Sequence, residues 1–237
     1  MKRQYTHASL EFLEDPEIFA VNRLRAHSDH RYYRSIDDAK ELKAMPDRRS
    51  LNGLWKFNFA KNPGSRVVDF YREDFDATGW DDIRVPGHIQ LQGYDRPHYV
   101  NTMYPWDGHV DIDPPNIPHD YNPVGSYIKY FTIPKDWEGS PVYISFQGVE
   151  SAFYLWINGH FVGYSEDTFT PAEFEITDFL EEGENKVAVE VYKWCSGSWL
   201  EDQDFWRLSG IFRDVYLYTV PRVHIRDMFV TTDLDRE

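Results

Sequence analysis

The chain has 237 residues, with 25 Lys plus Arg against 40 Asp plus Glu, and its formal charge of −15 repels phosphate backbones and anionic bilayers, so nucleic acid and membrane surfaces are excluded as partners. That length fits one large all-β domain with extensions. Cys195 is the only cysteine, which rules out an intrachain disulfide and points to a reducing cytoplasm. No apolar stretch is long enough for a membrane span or a secretion signal.

Residues 1–49 are charged and weakly periodic, with too few apolar side chains to close a core. An extended N-terminal arm is expected there, with a short helix in "SIDDAKELKAM" (35–45) capped by Ser35 or Asp37. His27 and His30 in "HSDH" have i, i+3 spacing but no acidic or thiol partner fixed by sequence, and read as surface histidines.

From Ser50 the pattern changes to short alternating runs. In "SLNGLWKFNFA", Trp55, Phe57 and Phe59 take one face, with Leu54, Lys56 and Asn58 on the other. Between Asn101 and Asn122 runs a proline-rich connection without strand or helix period. A loop of that length in a compact domain is usually functional, so it is the candidate for facing a ligand or an interface.

"AFYLWINGHFVGY" predicts a hairpin, because Asn158-Gly159 suits the two positive φ angles of a type I′ turn. "GENKVAVEVYKW" sets Val187, Val189 and Val191 against Ala188, Glu190 and Tyr192, and "FRDVYLYTV" alternates around Val215 and Leu217. Several short strands separated by turns predict an all-β jelly-roll sandwich over 50–220. After Pro221 a new alternation begins, read as the first strand of a following domain over 221–237.

No phosphate-cradling glycine loop, G-x-S-x-G elbow or H-E-x-x-H is present. "DGHVDIDPPN" holds Asp107, Asp111 and Asp113 but lacks the central Gly and closing Glu of a calcium loop, so it reads as a solvated acidic turn. Glycoside hydrolysis needs two carboxylates, yet spacing selects no pair from 40 acids.

The stretch "SWLEDQDFWRLSGIFRDV" (198–215) differs, setting Glu201, Asp202 and Asp204 among Trp199, Phe205 and Trp206. Acids half-buried against aromatic rings need compensation. Two readings stay open: Arg207 and Arg213 neutralise the acids in a buried network, or a cation or sugar hydroxyls meet them.

"RSLNGLWKF", "VPGHIQLQGYDRPHYVNTMYPW", "NPVGSYIKYFTIP", "VESAFYLWINGHFVGYSEDTFTPAEFEIT" and "GENKVAVEVYKWCSGSWLEDQDFWRLSGIFRDVYL" together resemble the N-terminal part of bacterial β-galactosidases of the large multidomain type, glycoside hydrolase family 2. "VNRLRAH" resembles the family's N-terminal arm. The resemblance implies a sugar-binding jelly roll, an immunoglobulin-like domain starting near 221, and a (β/α)₈ barrel that carries both catalytic glutamates outside these residues, so no catalytic residue is expected in this chain.

It further implies that Asn101 contacts galactose hydroxyls and that Asp204 binds a substrate hydroxyl and a sodium ion. Other implied partners are a β-galactoside substrate, the remaining domains and further copies in a homo-oligomer. A family magnesium site matches only partly: Asp15 and Glu166 align, but Ser196 stands where an aspartate is expected, and that site is left unassigned. A non-catalytic carbohydrate-binding module and a β-glucuronidase or β-mannosidase are the alternatives, although the "LEDQDFW" run favours galactoside.

Overall fold

The computed structural model describes residues 5–28, 31–45, 47–201 and 203–235. Within these, the alternating runs become β1 (Ala20–Val21), β2 (Arg48–Ser50), β3 (Gly53–Ala60), β4 (Asp81–Val85), β5 (His98–Val100), β6 (Val124–Thr132), β7 (Val142–Phe146), β8 (Val149–Glu150), β9 (Ala152–Ile157), β10 (His160–Ser165), β11 (Ala172–Glu175), β12 (Glu184–Tyr192), β13 (Phe205–Arg207), β14 (Gly210–Ile211) and β15 (Val215–Thr219). They form an all-β sandwich of jelly-roll type. One sheet has the order β1-β10-β9-β12-β6-β3-β4 and the other β11-β7-β15-β2.

The period of two decides which side chain goes where. Phe153, Leu155 and Ile157 of β9 and Val187, Val189 and Val191 of β12 point between the sheets, where they meet Trp55 and Phe57 from β3 and Ile144 and Phe146 from β7. The hairpin turn is as expected, with φ of 46° at Asn158 and 77° at Gly159, and β9 and β10 pair antiparallel across it.

Tyr154, Trp156, Ala188 and Tyr192 point to the other side of the larger sheet, and these positions are buried as well. The cover comes from the N-terminal residues Phe12, Leu13, Ile18 and Val21, from the crossover residues Phe70 and Ala77, and from Trp106 and Ile117 of the proline-rich connection. Phe12 packs on the rings of Tyr154 and Tyr164 at 6.1 and 5.6 Å. β1 then adds to the sheet edge by pairing Ala20 with Ser165 and Val21 with Tyr164.

Ser35 is the cap of helix α1 (Ile36–Lys40), its hydroxyl accepting the Asp38 N–H at 3.1 Å. The helix is shorter than the 35–45 pattern suggests. It buries no residue, and Leu42 turns left-handed with φ of 52°, so no tertiary packing extends it. Residues 221–235 carry no strand, since a lone strand without a ladder partner cannot form one. They lie along the arm, with the Tyr32 hydroxyl donating to the Ile225 carbonyl and the Ser28 N–H to Asp227, both at 2.8 Å. No helix among the described residues is long and apolar enough to cross a membrane.

Candidate functional site

β5 and β13 form a two-stranded ribbon outside both main sheets. Its register pairs Phe205 with Val100, Trp206 with Tyr99 and Arg207 with His98. Asn101 and Asp204 therefore stand at the same end of the ribbon, where the Asp204 N–H donates to the Asn101 carbonyl at 3.3 Å. Asp204 holds a left-handed φ of 54°, a conformation that Asp adopts more readily than most residues.

The structure thus brings the two sequence-predicted site residues together, and both are exposed. The Tyr99 hydroxyl donates to Oδ1 of Asp204, and that carboxylate pushes the Tyr99 phenol up from its ordinary pKa. Tyr99 and Trp206 lie alongside with ring centroids 5.5 Å apart, and they stay 50% and 52% exposed. Phe205, one position along β13, turns to the other face and meets Phe169 with ring centroids 6.2 Å apart. A carboxylate that accepts from hydroxyls beside rings that cover C–H faces is chemistry suited to a sugar.

Glu201 turns inward and accepts the Thr168 hydroxyl at 2.8 Å. Asp202 lies outside the described residues. Arg213 donates to the Phe169 carbonyl at 2.7 Å and lies over the Phe212 ring, and no ion pair joins it to an acid among the described residues. Arg207 is buried, with one guanidinium N–H reaching the Ser198 carbonyl at 3.3 Å. Asp204 has no guanidinium partner among the described residues.

The proline-rich connection serves two purposes. Trp106 and Ile117 are buried against the larger sheet, and the Trp199 indole donates to the Asn116 carbonyl at 2.8 Å. Its first residues, Asn101 to Met103, remain exposed at the ribbon. Asp107, Asp111 and Asp113 are exposed, and Asp107 accepts the Tyr104 N–H at 2.8 Å. His27, read as a surface histidine, is half-buried and bonded to Glu173, whereas His30 lies outside the described residues.

Tyr99 is the contact that sequence reasoning missed. Its signal is its place two residues before Asn101, which puts both on one edge of the ribbon, but that is legible only once the β13 register is known.

An alkali cation prefers hard oxygen donors. Asp204 offers this kind of donor in an exposed position and fits as one ligand of a shared shell. Among the described residues no group of three or more His, Cys, Asp or Glu gathers as a metal site, so the rest of such a shell is not in this donor set.

The residues of the partial magnesium match already hold protein donors. Glu166 accepts from the Tyr164 hydroxyl at 2.6 Å, the Gly197 N–H at 3.1 Å and Ser196 at 3.2 Å, and burial pushes its carboxyl up. One oxygen of Asp15 accepts the Glu17 N–H at 2.9 Å.

Comparison with known proteins adds three findings. The family model described as "Glycosyl hydrolases family 2, sugar binding domain" matches residues 48–221. The chain is 63% identical over 231 residues to a protein named "Beta-galactosidase" from Halalkalibacterium halodurans, covering 98% of this chain and 23% of that protein. It is 59% identical over 226 residues to a "Beta-galactosidase" from Clostridium acetobutylicum, covering 95% and 25%. The chain thus spans about a quarter of the length of these relatives. The structure of a Bacteroides uniformis β-glucuronidase shares the fold with a TM-score of 0.55 at 23% identity, over 73% of this chain and 18% of that one.

Proposed function

This chain belongs to glycosyl hydrolase family 2, and from that premise we propose that it is the sugar-binding domain of a retaining β-galactosidase acting on terminal β-D-galactosides such as lactose. In this reading Asn101 bonds galactose hydroxyls, and Asp204 accepts a further hydroxyl while sharing an oxygen with a sodium ion. A bound sodium supplies a fixed positive charge that orients hydroxyl oxygens. The catalytic carboxylates come from a (β/α)₈ barrel in the remaining domains, and the chain itself carries none. The whole protein works as a homo-oligomer in the cytoplasm.

The adjacency of Asn101 and Asp204 at the open end of the β5–β13 ribbon carries this reading. The relatives named β-galactosidase, at 63% and 59% identity, favour galactoside over glucuronide, because the glucuronidase likeness is one of fold. In the full-length protein, Asp204→Asn is expected to lower kcat/KM for a nitrophenyl galactoside and to abolish its dependence on sodium concentration. Sodium-dependent turnover unchanged by that substitution would refute the assignment.

A second reading, a carbohydrate-binding module without chemistry, draws on the exposed Tyr99 and Trp206 rings. Calorimetric titration of the isolated chain with lactose separates the two. A module binds lactose unaided, whereas a partial site binds it too weakly to offset the lost motional freedom.

A further inference from the structure

The ribbon carrying Asn101 and Asp204 has three residues in each strand and joins neither sheet of the sandwich. A two-stranded pair of that size is not stable alone. Its support lies beneath it. Just upstream of β5, one carboxylate oxygen of Asp95 stands 2.7 Å from the Lys193 ammonium and accepts the Gln90 amide N–H at 2.9 Å. The other oxygen accepts the Tyr121 hydroxyl at 2.7 Å.

Lys193 follows β12, the middle strand of the larger sheet, and its side chain and that of Asp95 are 0% and 5% exposed. The Gln90 amide continues to the other strand. It donates to the Ser209 hydroxyl at 2.8 Å and accepts the Ser209 N–H at 2.8 Å, and Ser209 lies just past β13. One connected set of buried polar groups therefore holds the flanks of both ribbon strands.

A buried ion pair is a poor source of stability. Replacing one with apolar groups of similar volume is often neutral or stabilising, because taking both charges out of water costs as much as their attraction returns. What such a pair does supply is direction: the ammonium and the carboxylate admit few arrangements, while apolar contacts admit many.

We infer that the buried Asp95–Lys193 pair, acting through Gln90, is the positioning device that seats the β5–β13 ribbon on the central sheet and so sets where Asn101 and Asp204 point. The inference rests on the proposed role of those two residues as sugar contacts.

The test uses the full-length protein with Lys193→Met and Asp95→Asn combined. This removes both charges but keeps the aliphatic stem at 193 and, at 95, one acceptor oxygen for the Tyr121 hydroxyl, with an amide NH2 in place of the oxygen that faced Lys193 and Gln90. Lys193→Arg serves as the conservative variant. We expect an undiminished Tm, together with faster amide hydrogen exchange in residues 98–104 and 203–208 and unchanged exchange in β9 and β12. For a nitrophenyl galactoside, kcat/KM should fall about 10- to 100-fold, mostly through KM, as a misplacement of about 1 Å would cause. Lys193→Arg should recover most of that loss.

Ribbon exchange and KM both unchanged in the charge-free variant would overturn the inference. Gln90→Met, which cuts the ties to Ser209 and to Asp95 but leaves both charges in place, gives the same readings if the double variant does not fold. Asn101→Ala and Asp204→Ala run in parallel. If these leave KM unmoved, the sugar-contact reading fails, while the exchange data still report on the positioning pair.

Discussion

Tyr99 and Asp204 stand 105 positions apart in the chain, and the phenol of one donates to the carboxylate of the other. The bond orients an exposed acid that no cationic side chain restrains among the described residues. Tyr99→Phe in the full-length protein removes the donor and keeps the ring against Trp206. KM for a galactoside is expected to rise a few-fold with kcat little changed, as steady-state kinetics would read. An unaltered KM would show that the hydroxyl does not orient Asp204 for substrate.

The His27 ring faces the Ser28 carbonyl at 2.9 Å and the Glu173 carboxylate at 2.7 Å. Both partners are acceptors, so only the protonated ring can donate to both at once. Burial opposes that charge, but the Ser28 carbonyl and Glu173 outweigh it and raise the pKa from 6.5, with Arg226 pulling slightly the other way. A raised value in the folded state means that the contribution is complete below 6.5 and fades as pH climbs through the elevated value. Glu173 also accepts the Tyr218 hydroxyl at 3.0 Å, so the carboxylate stays bonded after His27 is neutral. Proteolysis within residues 24–28 should therefore be slower at pH 6 than at pH 9, and His27→Gln should flatten the difference.

Gly163 lies where the β9–β10 register shifts. A Cβ there would stand 2.4 Å from the Val21 carbonyl oxygen and 2.6 Å from the Phe174 ring. Neither neighbour is a flexible chain end. Gly163→Ala should destabilise the protein by about 1–3 kcal/mol through overpacking, seen as a lower urea midpoint.

Phe12 is buried between Tyr5, Tyr154 and Tyr164. Phe12→Ala should cost about 3–5 kcal/mol, spent first on releasing the arm, because residues 5–21 add only a two-residue strand to the sheet edge. Limited proteolysis should cut near residue 12 before the sandwich melts. Melting of arm and sandwich in a single step would contradict this.

Much of the sandwich was legible from period two. Trp55, Phe57, Leu155 and Val189 were placed on one face by alternation and pack there together, and the Asn158-Gly159 turn followed from backbone sterics. Less legible was which of the two faces water would see. Alternation puts Tyr154, Trp156 and Tyr192 on the face opposite Leu155 and Val189 without saying what covers them, and residues distant in sequence do so.

The cluster around Asp204 was recognisable as unusual, and Asn101 was identified through resemblance. Their contact depends on the β5–β13 register, which no local pattern encodes. The pairing of Asp95 with Lys193 spans 98 positions and left no trace in spacing. The short helix at Ser35 began where its cap predicted and ended early, because propensity without burial does not sustain further turns.

The larger sheet is a filling with two crusts, one of which is little more than residues 5–21 and a few crossover side chains. Shortening the protein from its amino end would peel that crust away and bare a broad plate of tyrosine and tryptophan. Such trimmed material should clump, or seek out a replacement peptide, even though every strand except the two-residue β1 is still encoded.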